Sequence, residues 1–197
     1  MDHLQLQECV KFMRRAIARF IYPQEFILND KLFTTIDNQK RENSVLKLEV
    51  NILLSLIEKV NQLTKNGYEV LGIEKTEKGG EWVIIFSNWD YIYVGEWHGY
   101  YNDHVLSLAY TLKPDKKRLV IDDIQTTEFN KGYGSVAMKY LIEFAQKQKV
   151  EIISGWISPV DWDHINRLKK FYENHDFIVS LNHEAKRGSI KRVLVVN

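Results

Sequence analysis

Between Tyr68 and Gln125, five segments rich in β-branched and aromatic residues follow one another, and the gaps between them are too short to hold a helix. They are Tyr68–Thr76, Glu81–Asn88, Tyr91–Trp97, Val105–Leu112 and Arg118–Gln125. Lys78-Gly79-Gly80 reads as the turn between the first two, and Lys113–Lys117 joins the last two. Parallel strands need long crossovers, so connections this short dictate a run of antiparallel hairpins.

The texture changes on either side of that run. Downstream, a loop over Thr126–Lys131 leads into Gly132-Tyr133-Gly134. Ser135–Lys147 reads as a helix with Met138, Leu141 and Ala145 on one face. Val150–Ile157 follows as a strand, Asp163–His175 as a helix, and Asp176–Leu181 and Ile190–Val196 as strands. A meander followed by β–α–β–α–β–β is an α+β architecture, sandwich-like, with one mixed, mostly antiparallel sheet and flanking helices. Upstream, Val10, Met13, Ile17 and Ile21 recur at helical steps, so residues 2–22 read as a helix ending before Pro23. Residues 24–43 are ambiguous, with one strand expected near Leu32–Ile36. From Ser44, as N-cap, to Asn66 a second helix is expected, with Leu46, Val50, Leu53, Leu54, Ile57 and Val60 on one broad face and Asn66-Gly67 as its stop. The organisation is therefore an N-terminal helical region over 1–66, either an extension or the first part of the fold, and a domain over 67–197.

Composition narrows the function classes. Lys plus Arg is 27 and Asp plus Glu is 26, so no global field draws the chain to nucleic acid or to an acidic membrane. Local basic patches remain, on the helix over 2–22 (Lys11, Arg14, Arg15, Arg19) and at Lys186, Arg187, Lys191 and Arg192. Nucleic acid is not the expected partner. The single cysteine, Cys9, excludes a disulfide framework and multi-cysteine metal sites. Hydrophobic residues at 45% and charged residues at 27% exclude wholesale disorder, collagen and coiled-coil rods. The longest apolar runs fall far short of a membrane span. Met1-Asp2-His3-Leu4 does not begin a signal peptide, so the cytoplasm is the expected location.

The glycines at 132 and 134 carry the chemistry. They lie between a strand and a helix, where glycine lets backbone amides approach an anion and the helix start adds free N–H groups and partial positive charge. Lys131 and the Ser135 hydroxyl add to that. A phosphate or pyrophosphate site is one reading, and a plain loop-to-helix junction is another. A dinucleotide fold is a third, because Gly132-x-Gly134-x-x-Ala137 fits the relaxed fingerprint. Glu151 follows about 20 residues on, but it opens the next strand, whereas the ribose-binding acid closes one.

Phe129-Asn130-Lys131-Gly132-Tyr133-Gly134-Ser135 resembles the acetyl-CoA loop of the GCN5-related N-acetyltransferase (GNAT) superfamily, (Q/R)-x-x-G-x-(G/A). Asn166–Phe177 (NRLKKFYENHDF) is similar to that family's late helix-to-strand segment, with one helix and one strand between the two motifs. The resemblance spans roughly Arg118–Val179. Two positions depart: Phe129 stands at the Gln/Arg position, leaving Lys131 to compensate, and Asp176 replaces the glycine before the terminal Phe. The resemblance implies a GNAT-like acyl-CoA N-acyltransferase fold with acetyl-CoA as co-substrate and no metal. It implies direct attack by an amine in a ternary complex. Amides around Ile124, Gln125 and Thr126 would meet the pantetheine arm and acetyl carbonyl. Asn130, Lys131, Gly132, Tyr133, Gly134 and Ser135 would take the pyrophosphate, and Tyr172 would serve the thiolate as acid.

A neutral amine also needs a base. Asp122 and Asp123 point to opposite sides of their strand, so one of them faces the cleft. The loop Ser158–His164 gathers Asp161, Trp162, Asp163 and His164. His164 suits a base by its ordinary pKa, one of the two aspartates caps the next helix, and the set lacks metal-ligand spacing. Trp89, Tyr91, Tyr93, Trp97, Tyr100 and Tyr101 are either cross-strand pairs or the wall of an acceptor pocket. A degenerate GNAT-fold binding or regulatory module is the alternative to an enzyme. The acceptor amine stays open, and a homodimer is compatible with the sequence.

Overall fold

The structure, a computed structural model, describes residues 12–14, 16, 17, 20, 23–98, 100 and 103–195. The helix expected over 2–22 falls largely outside these residues, and Cys9, Tyr101 and Val196 fall outside them entirely. The chain packs as two compact units, Met1–Leu53 and Leu54–Asn197.

Pro23–Lys65 form one helix of 43 residues, α1. The strand expected near Leu32–Ile36 and the helix start expected at Ser44 are thereby overturned. No glycine or proline interrupts residues 24–65, and the β-branched run at Thr34-Thr35-Ile36 is only a weak propensity signal. Ser44 is no cap: its Oγ donates to the Lys40 carbonyl at 2.8 Å, as Thr34 and Thr35 donate to Asp30 and Lys31 one turn back. On the expected broad face, Leu46, Val50, Leu53, Leu54 and Ile57 are all exposed.

The second unit holds an eight-stranded sheet. The hairpin run supplies β1 (Glu69–Lys75), β2 (Trp82–Asn88), β3 (Tyr91–Glu96), β4 (Leu106–Leu112) and β5 (Arg118–Thr126). Helix α2 (Tyr133–Lys147) leads to β6 (Ile152–Ile157). A 3₁₀ helix (Pro159–His164) and α3 (Ile165–Glu173) lead to β7 (Ile178–Asn182) and β8 (Arg187–Val193). Strand order is β1-β2-β3-β4-β5-β6-β8-β7. All neighbours are antiparallel except β5 and β6. This is the mixed, mostly antiparallel sheet with flanking helices that the resemblance implies.

Alternation along β2 divides the core. Val83 and Ile85 join the cluster beneath α2, with Leu108, Leu119, Met138, Leu141 and Ile153. Ile84 and Phe86 point the other way and are also fully covered. The C-terminal part of α1 meets that second face. Leu56 and Leu63 are buried, and Lys59 donates to the carbonyls of Glu96 at 2.8 Å and Asp103 at 3.4 Å. Burial lowers the Lys59 pKa, against the opposing pull of Asp103 and Glu96. Gly95 makes this approach fit, because a Cβ there would lie 2.8 Å from the Asp103 carbonyl oxygen.

The β5–β6 pairing positions the site. It runs from Arg118↔Ile152 only as far as Ile121↔Gly155, although β5 continues to Thr126 and β6 to Ile157. A register shift between Ala109 and Tyr110 on β4 leaves Asp122 as the extra residue on β5, a bulge that bends the strand where the two part. Gly155 closes the parallel pair with no room to spare: a Cβ would lie 3.0 Å from Ile190 Cδ1 and 3.1 Å from the Ile121 carbonyl oxygen. Gly155→Val is expected to destabilise the chain by about 1–3 kcal/mol, read from the midpoint of urea unfolding.

Candidate active site

Past Gly155, β5 and β6 leave an opening in the sheet, and three groups gather there. Tyr172, from α3, is 8% exposed. Its pKa is pushed up to about 12, first by burial and then by the charges of Asp161 and Asp123. Of the two neighbouring aspartates, Asp123 contributes to that shift. Asp123 lies on the Tyr172 side. Asp122 is held on β4 instead, where Thr111 Oγ1 donates to its Oδ2 at 2.7 Å. Asp161 has a structural task as well. With Ser158 it forms a capping box that opens the 3₁₀ helix, the Ser158 N–H donating to Asp161 Oδ2 at 3.3 Å. The helix capped this way is a 3₁₀ turn before α3 and not α3 itself. His164 ends that turn, exposed and making no side-chain cap hydrogen bond to α3.

The end of β5 is partly occupied by its own carboxylate. Asp123 accepts from the Ile124 N–H at 2.8 Å and from Gln125 Nε2 at 2.7 Å. Thr126 Oγ1 lies 3.0 and 2.8 Å from the Val105 and Glu128 carbonyl oxygens, with one hydrogen to share between them, and so fixes the start of the following loop.

In the glycine loop, Asn130 (φ 64°) and Gly132 (φ 91°) are both left-handed, which turns the chain sharply into α2. Gly132 caps α2 with no side-chain hydrogen bond. The first intrahelical bond is Val136 N–H to the Gly132 carbonyl at 3.2 Å, so the amides of Tyr133, Gly134 and Ser135 have no partner inside the helix. Ser135 is exposed beside them. The Tyr133 side chain points away into the core, where its hydroxyl donates to Glu96 Oε1 at 2.5 Å. Burial and that contact hold its pKa well above the ordinary value. Tyr133 can thus offer a ligand only its backbone. Gly134 serves packing, since a Cβ there would lie 3.1 Å from the Phe171 ring of α3. Lys131 is balanced by two carboxylates, Glu81 Oε1 at 3.7 Å and Glu128 Oε2 at 3.8 Å.

Sequence reasoning missed Arg167. Its guanidinium lies 4.2 Å from the centre of the Phe129 ring, so α3 brings a cation to the residue that stands at the family's Gln/Arg position. The signal was available. Arg167 and Phe171 are four residues apart on one helix and share a face, and Phe171 meets Gly134. The substitution at 176 is explained too. Asp176 is left-handed, at φ 59°, and Arg192 fastens the turn by donating to the His175 carbonyl and pairing with Asp176 Oδ2 at 3.3 Å.

The aromatic stretch divides. Tyr93 stacks on Phe86 and Tyr91 and meets Tyr68 edge-on, a cross-strand cluster. Trp97 and Tyr100 line a separate open cavity of about 650 Å³ with Ser55, Glu58, Lys59 and His98. None of the Tyr172 group lines it. Among the described residues no cluster of three or more His, Cys, Asp or Glu could hold a metal, and no helix is long and apolar enough to cross a membrane.

The site is thus a glycine loop with unpartnered helix-start amides beside the parting of β5 and β6, where Tyr172 is buried. No family profile matches the chain. The uncharacterized protein YocC of Bacillus subtilis (strain 168) is 33% identical over 162 residues, covering 80% of this chain and 94% of that protein. The chain belongs to the family of YocC. Similar solved structures include Ard1 from Thermoplasma volcanium (TM-score 0.44, 11% identity, 54% of this chain and 71% of that one). The GNAT domain of S. lividans PAT gives 0.42, 8%, 53% and 60%. The Campylobacter jejuni N-acetyltransferase PseH gives 0.41, 13%, 53% and 67%.

The buried tyrosine has a consequence for stability. The unfolded chain releases the Tyr172 proton near pH 10, while the native state keeps it to about 12. Between those values the native state binds more protons, so its stability falls as pH rises. Tyr172→Phe should flatten that alkaline loss, as measured by urea unfolding at pH 9 and pH 11.

Proposed function

We propose that the chain is an acetyl-CoA-dependent N-acetyltransferase, moving an acetyl group to an amine by direct attack in a ternary complex. The observation that carries this reading is the parting of β5 and β6 at Ile121↔Gly155, with Tyr172 and Asp123 at the opening and the glycine loop leading from β5 into α2.

The residues present suit acetyl-CoA. The amides of Tyr133, Gly134 and Ser135 are free of helical partners and suit a pyrophosphate. Arg167 supplies the cation that Phe129 does not, with its planar fork suited to phosphate. The backbone of Ile124, Gln125 and Thr126 borders the opening; the Ile124 N–H is held by Asp123, so an amide there stabilises a carbonyl oxygen gaining charge only where it is not already bonded. Acetyl-CoA supplies a thioester whose sulfur leaves as a thiolate. Tyr172 stays protonated at any physiological pH and donates a hydrogen bond to that sulfur. Full proton transfer runs uphill from about 12 to a thiol near 8.5. Asp123, beside Tyr172, accepts the proton that the amine loses on attack. Asp122, turned toward Thr111, takes no part, and His164 orients the acceptor at most.

A second reading, a catalytically silent CoA-binding module, is favoured by three contacts. Asp123 holds the Ile124 amide, and Glu81 and Glu128 offset Lys131. The readings part on turnover. The enzyme reading expects acetyl-CoA-dependent thiol release with at least one member of an amine panel, falling at least 10-fold in kcat for Tyr172→Phe with little change in cofactor binding. Binding without thiol release from any amine supports the silent module. Saturating acetyl-CoA or CoA, at 100 times Kd, should raise Tm by roughly 5–10 °C, and NAD should not. Arg167→Ala should weaken CoA binding about 10-fold or more, the worth of a hydrogen bond to a charged group. Unchanged binding removes Arg167 from the phosphate site.

A further inference from the structure

Every residue of α1 from Ile27 to Asn51 is exposed, although the stretch carries Leu32, Ile36, Leu46, Leu48 and Val50. Helices in water draw most of their stability from tertiary packing of an apolar face, and none of the described residues supplies that packing here. The spacing of the apolar residues says what does. From Leu32 onward, steps of four and three lead through Ile36, Gln39, Asn43, Leu46, Val50 and Leu53. That is three heptads in one register, positions 36, 43 and 50 at a and positions 32, 39, 46 and 53 at d, apolar at all but Gln39 and Asn43. The period of 3.5 residues is that of a left-handed two-helix seam.

The residue types at those positions select the partner. The a positions hold β-branched Ile36 and Val50, and three of the d positions hold leucine, the combination that favours two parallel strands. The remaining a position, Asn43, is the polar residue that fixes register and oligomer state by pairing with its own counterpart. The flanking charges agree. Glu42 and Glu49 occupy g, while Lys40 and Lys47 occupy e. In a parallel, in-register pair, Glu42 of one helix faces Lys47 of the other. In an antiparallel pair g meets g and e meets e, which sets glutamate against glutamate and lysine against lysine.

We propose that this helix face is a homodimer interface, and that its occupant is the same segment of a second copy of this chain in a parallel two-stranded coiled coil over Leu32–Leu53. The seam is about 33 Å long at 1.5 Å per residue. It is independent of the acetyl-CoA site and stands whether or not the chain is an acetyltransferase.

The test is the mass of the full chain in solution, by sedimentation equilibrium across micromolar concentrations. The expected species has twice the chain mass. Leu46→Glu should give monomer. Glu42→Lys should weaken the dimer roughly 3- to 30-fold by setting lysine against Lys47 across two symmetry-related contacts. Glu42→Lys combined with Lys47→Glu should restore it. This exchange alters exposed residues and does not depend on Leu46→Glu folding. A monomeric wild type, a trimer or tetramer, a dimer indifferent to Leu46→Glu, or a double variant no tighter than Glu42→Lys alone each overturns the proposal.

Discussion

The molecule's chemistry depends on where one pair of strands stops pairing. Parallel β5 and β6 share hydrogen bonds only to Ile121↔Gly155, and both continue beyond that point. The bulge at Asp122 bends β5, and Gly155 packs too tightly against Ile121 and Ile190 to accept a side chain. Everything assigned to the site follows from this geometry. Backbone at 124–126 is left bordering an opening, α2 begins just past the end of β5, and α3 delivers Tyr172 to the gap. Any substitution that let the two strands zip further would close the opening without touching a proposed catalytic group.

The electrostatics of the opening are mixed, and that is its distinctive feature. An anion-binding loop would ordinarily be flanked by unopposed cations. Here Lys131 is offset by Glu81 and Glu128, and Asp123 holds an amide at the β5 edge. Arg167, stacked on Phe129, restores positive charge from a different element. A cation beside Phe129 thus comes from α3. Under the proposed function, phosphate binding draws more on amides and on Arg167 than on Lys131.

Much of the second unit was legible in the sequence, because its signals are local. Period-two alternation and short turns gave the strands, and Gly132 and Asp176 are left-handed where the chain had to turn. What escaped was non-local. Alternation placed Asp122 and Asp123 on opposite sides, but only the bulge and the Thr111 contact show that Asp122 is held toward β4. Tyr133 sits inside a phosphate-loop motif, yet its ring is claimed by Glu96, distant in sequence. In α1, Thr34-Thr35-Ile36 resembled a strand and Ser44 a cap. Helix continuity won because nothing from Gln24 to Lys65 breaks it, and the hydroxyls bond back along the helix.

The most direct measurement of the central claim is a titration of ¹⁵N-labelled chain with CoA, following backbone amide shifts. The account predicts the largest changes at Ile124–Thr126 and at Asn130–Ser135, with Arg167 on α3 among the responding residues. Shifts confined to the cavity around Ser55, Trp97 and Tyr100, or no saturable shifts at the opening, would contradict it.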